Sequence, residues 1–111
     1  MAHQVKIAFI LSVLAGAIHL YIGVRPALAQ DCGTMIRMHA FASRAQFHCG
    51  FREYNPNVIE QAKTCGSQMT ESERKSNITT GMQMFDELAQ KVGQREACSD
   101  VLRKLPNVVR Q

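Results

Sequence analysis

The chain reads as all-α: a small disulfide-stapled bundle of about four helices behind a cleaved N-terminal signal helix. Three observations predict this. A long apolar run near the start ends in a small-residue cleavage pattern, four cysteines stand singly in the rest of the chain, and four apolar stripes recur there at steps of three and four. No stretch beyond the leader alternates apolar and polar residues as a half-buried strand would.

The leader comes first. "MAHQVK" carries one firm positive charge, Lys6, and the run from Ile7 to Val24 is broken only by Ser12 and His19. Pro26 ends a helix there and leaves the following residues extended. Ala27 and Ala29 then offer the small side chains that a signal peptidase accepts at the third and first positions before its cut, so cleavage is expected after Ala29. An uncleaved anchor is the alternative, because the run just reaches the length of a short membrane span. The A-x-A pattern and His19 in mid-run favour removal. Gln30 and Asp31, one long and one charged, precede Cys32 and argue against a lipid on that cysteine. The expected organisation is a signal peptide over 1–29 and one helical domain over 30–111, with no membrane attachment after cleavage.

Without Lys6 and Arg25 the net charge of +4 falls by two, so the released domain is much less basic than its sequence pI near 9.1 implies. The basic residues are interspersed with acidic ones, and the nearest patch is "RKLPNVVR", Arg103 to Arg110, which reads as a solvated turn. A nucleic-acid partner is not expected, since that would need a clustered basic face.

A domain this small buries only about 60% of its unfolded surface, so it needs covalent help. Cys32, Cys49, Cys65 and Cys98 supply it: an even count in a short exported chain reads as a disulfide framework, and no two have the C-x-x-C spacing of a redox or zinc site. The compartment implied is periplasmic or secreted.

The first helix spans about Thr34 to Cys49, with Met35, Met38, Ala42, Ala45 and Cys49 on one stripe and Phe41 beside it. "GFREYNPN" breaks it. Asn55 followed by Pro56 caps the second helix, which carries Val58, Ile59, Ala62 and Cys65 and stops at Gly66. Thr70 and Glu73 have capping-box spacing at the start of the third. Its stripe is Ile78, Met82, Phe85, Ala89 and Val92, with Leu88 alongside and Gly93 as the stop; the weak helix formers "NITTG" predict a kink or break. The last helix runs roughly Arg95 to Leu105 and buries Cys98, Val101, Leu102 and Leu105. Short connections favour antiparallel neighbours. That order puts Cys32 and Cys65 toward one end and Cys49 and Cys98 toward the other, so Cys32–Cys65 and Cys49–Cys98 is the favoured one of three connectivities.

Chemistry is sparse. His48 and Cys49 are adjacent, and adjacent helical residues point about 100° apart, the wrong geometry for a thiolate–imidazolium pair. Glu71 with Glu73 and Asp86 with Glu87 read as solvated carboxylates, and no enzyme or bound cofactor is expected. Met35, Met38 and His39 offer soft donors that suit Cu(I), but the methionines lie on a core stripe. The sequon Asn77–Ile78–Thr79 reads as accidental.

With "FHCGFREYNPNVIEQAKTCG" at its centre, the domain resembles small exported four-cysteine helical proteins of Gram-negative bacteria. The resemblance implies an exported helical domain and carries no activity. Acid-activated periplasmic chaperones and periplasmic immunity proteins share the general format without a shared residue motif. The function expected is therefore a non-enzymatic interaction module with a protein partner, presented by Phe51, Arg52 and Tyr54 of the "GFREYNPN" turn, where aromatic and arginine side chains act as anchors. Phe51 equally suits a core cap. The alternatives are a periplasmic holdase and, behind it, a copper carrier.

Overall fold

A computed structural model describes residues 32–111, and there the expected class holds: four helices pinned by two disulfides, with one very short two-stranded ribbon. The expected signal segment, its expected cut after Ala29 and the Gln30–Asp31 pair lie outside the described residues. Among the described residues no helix is long and apolar enough to cross a membrane.

Helix α1 occupies residues 32–49, so Cys32 lies in the helix rather than before it. Ala42 and Ala45 are completely buried, and Met35, Met38, Phe41 and Cys49 pack against the same cluster, as their spacing predicts. Gly50, at φ 71°, takes the chain out of the helix into strand β1, Glu53–Tyr54.

Strand β1 pairs antiparallel with β2, Val109–Arg110, in the register Glu53↔Arg110 and Tyr54↔Val109. The Asn55 backbone N–H donates to Val108 O at 2.8 Å, and its side-chain amide donates to Asn107 O at 2.9 Å. The tail is therefore not wholly a solvated turn: Val108 and Val109 are buried, while Arg103, Lys104, Pro106, Asn107 and Arg110 face water. Two-residue strands are too short to alternate, which is why no strand pattern announces them.

Helix α2, Pro56–Ser67, starts as predicted, with Asn55 Oδ1 accepting from the Asn57 N–H at 2.9 Å and Pro56 in the first turn. It passes through Gly66 instead of stopping there. Gly66 is buried, and a Cβ on it would sit 3.3 Å from Arg74 Cδ, so this glycine serves packing rather than termination.

Helix α3, Glu71–Val92, is capped by Thr70, whose Oγ1 accepts from the Glu73 N–H at 3.1 Å. It runs unbroken through "NITTG". Gly81 lies at a close crossing with α1, where a Cβ would fall on Arg37 O and 2.8 Å from Ala40 Cβ. The tertiary contact outweighs the poor local propensity. Gly93, at φ 90°, ends α3 and begins α4, Gln94–Lys104.

Helices α1 and α3 lie side by side and run in the same direction, because Arg37 reaches Asn77 and Arg44 reaches Asp86. The expected antiparallel order follows, and with it the expected pairing. Cys32–Cys65 closes one end with Cα atoms 5.1 Å apart, and Cys49–Cys98 closes the other at 5.7 Å. The core between them is modest. Phe85, Val101 and Val109 are its largest fully buried side chains, with Ala42, Ala45 and Ala97 letting the helices approach. By chain entropy each staple contributes about 4 kcal/mol, comparable with the whole stability of a small domain.

Candidate functional site

The turn expected to present an interaction surface divides its three residues. Phe51 is buried in the core cluster, so it caps the core and offers nothing to a partner. The ribbon explains this: pairing β1 with the tail brings Phe51, two residues before the strand, into one buried cluster with Val108 and Val109. Arg52 is exposed, and Tyr54 is half-buried. Both line an open polar cleft of about 560 Å³ together with Asn107 and Arg110.

Tyr54 is tied to α1. Its hydroxyl lies 2.7 Å from His39 Nδ1 and 3.3 Å from His39 O, and the two rings meet edge to face at 5.5 Å. Burial lowers the His39 pKa, so the neutral ring is favoured. Burial also raises the Tyr54 pKa, and the Ser43 hydroxyl opposes this in part. The soft-donor set of Met35, Met38 and His39 is thereby divided: the methionines pack on the core cluster while the imidazole is engaged with Tyr54. No group of three or more His, Cys, Asp or Glu side chains fit to hold a metal occurs among the described residues.

Several of the other chemistry-bearing residues have structural partners. Cys49 is in a disulfide, and the His48 ring stacks on Phe85 at 5.8 Å. Asp86, expected as a solvated carboxylate, instead takes a two-pronged contact from Arg44, Nε to Oδ1 at 3.0 Å and Nη2 to Oδ2 at 3.3 Å, bridging α1 and α3. Glu71 forms an i,i+4 pair with Lys75 in the first turns of α3. Asn77 of the sequon sits within α3 with Oδ1 accepting from Arg37 at 2.6 Å and its amide donating to Glu73 O, so its side chain is occupied in helix packing.

The feature that sequence reasoning missed lies where α1 meets α2 and α3. Phe47 is 80% exposed, and Ile78 and Met82, assigned to the core by their spacing, are 38% and 36% exposed. The three border a hollow of about 310 Å³ with His39, Ala40 and Ser43. A second hollow of about 390 Å³ shares His39 and Ile78 with the first and continues to Ile36 and Ile59. Together they make an apolar groove along α1, walled by α2 and α3. The available signal was Phe47, which falls off the Met35–Cys49 stripe.

Comparison with protein-family models, with curated proteins and with solved structures gave no match to this chain.

Proposed function

We propose that the protein is an exported, non-enzymatic binding module that holds a protein partner on the α1 groove. The observation that carries this reading is Phe47, four-fifths exposed beside Ile78 and Met82 on a rigid helical frame. Exposed aromatic side chains next to small pockets are typical interface anchors, and a contiguous apolar patch on a soluble domain marks an interaction site more often than chance. The anchors proposed are therefore Phe47, Ile78 and Met82, since Phe51 of the turn is buried. Two disulfides are consistent with an oxidising, extracytoplasmic location; the periplasm or the secreted space is the compartment proposed, in keeping with the resemblance to small exported four-cysteine proteins.

The reading is tested by placing a photo-crosslinking side chain at position 47, and separately at the exposed Arg95 of α4, in the producing cell. Position 47 is expected to yield a discrete protein adduct and position 95 none. Equal labelling from both positions, or none from 47, contradicts it.

A further inference from the structure

We infer that the occupant of this groove is an acidic amphipathic helix of about three turns, a step that rests on the groove being the binding face. Three observations select it. First, the walls are helices, whose backbone N–H and C=O groups are already paired within themselves. A strand laid in the groove would find no ladder to join, whereas a helix satisfies its own backbone and needs only side-chain packing. Second, the dimensions fit. From Ile36 to Phe47 the groove follows eleven steps of α1, about 16 Å at 1.5 Å per residue, which is three turns of a docked helix. Its two hollows, sharing His39 and Ile78, call for two large apolar anchors one to two turns apart.

Third, the charged side chains that line the hollows are all basic. Arg44 borders the first hollow, Lys63 and Arg74 border the second, and no carboxylate lines either. Asp86 and Glu60, the partners of Arg44 and Lys63, stand outside the lining. An acidic flank on the incoming helix meets cations on the walls and also suits encounter steering. A bilayer surface, which shares the anionic and apolar character, is the poorer fit. The first hollow is lined by the buried Ala40 as well as by the exposed Phe47 and Met82, and a plane resting on the exposed pair does not reach a buried residue between them.

The test uses the full chain, exported and oxidised by its host, as bait for a displayed library of random fourteen-residue peptides. The enriched peptides are expected to carry two large apolar residues at i and i+4 or i+7 with net negative charge. A synthesised representative should gain helical circular dichroism on binding. Its affinity should fall at least tenfold with Phe47→Ser or Met82→Ser, both surface changes, and severalfold with Lys63→Glu. Vesicles containing phosphatidylglycerol should not bind. Basic, proline-rich or unenriched peptides, or vesicle binding that depends on Phe47, overturn the helix. If the selected peptides bind Phe47→Ser as tightly as the parent, the groove itself is not the binding face and the proposed function falls as well.

Discussion

Gly81→Ala sets two physical effects of opposite sign against each other. In an exposed helix interior the change stabilises by about 1 kcal/mol, because alanine is the better helix former. At Gly81 the new methyl would land on Arg37 O and only 2.8 Å from Ala40 Cβ. Carbon atoms rest about 3.5–4.0 Å apart, so α1 and α3 must separate by about 1 Å. The obstructing atoms belong to α1's backbone and a side chain with no rotamers, so no χ rotation relieves the clash. Overpacking of this kind costs about 3 kcal/mol at the upper end of its usual range, and it also strains the Arg37–Asn77 bond at 2.6 Å. Net of propensity, destabilisation of about 2 kcal/mol is expected, or about 8–16 °C in a domain of this size. Urea unfolding of the oxidised protein reads the change, with Thr80→Ala, exposed on the same helix, as the propensity control. If Gly81→Ala raises the midpoint as Thr80→Ala should, the close crossing of α1 and α3 is wrong.

Other outcomes follow from the same structure. His39 has its pKa lowered below the ordinary 6.5 by burial. The unfolded chain therefore binds a proton before the folded one does: stability is full above about 6.5 and is lost as pH falls from there through the lowered folded value. His39→Gln should flatten that part of a urea-midpoint profile, and an unchanged slope would acquit His39. Gly93→Ala, at φ 90° and ψ 152° with open space around it, should cost about 1–3 kcal/mol from backbone strain alone, read by the same unfolding assay. Asp86→Asn breaks a partly exposed ion pair and should cost less than about 1 kcal/mol, with the difference shrinking in high salt.

What was legible in the sequence was local or set by chain order. Asn55 before Pro56, Thr70 three before Glu73, and Gly93 after Val92 each fix a helix end through groups a few residues away, and each does so in the structure. The cysteine pairing followed from the order of helices, because short connections leave few ways to reverse the chain. What was hidden depends on distant segments. Gly66 and Gly81 look like a stop and a weak point until Arg74 and α1 are seen to lie against them. Phe51 suits a surface anchor and a core cap equally until the tail folds back and places it in one buried cluster with Val108 and Val109. Spacing told which face of α3 is apolar; it did not tell that α1 and α2 leave Ile78 and Met82 uncovered, and the candidate site is the consequence.

The central claim is an exported domain held by two staples, and the mass of the protein recovered from its own cells tests it most directly. The account predicts a chain beginning at Gln30, four hydrogens lighter than its reduced form, whose non-reducing digest joins Cys32 to Cys65 and Cys49 to Cys98. A full-length chain with free thiols, or a digest joining Cys32 to Cys49, would contradict it.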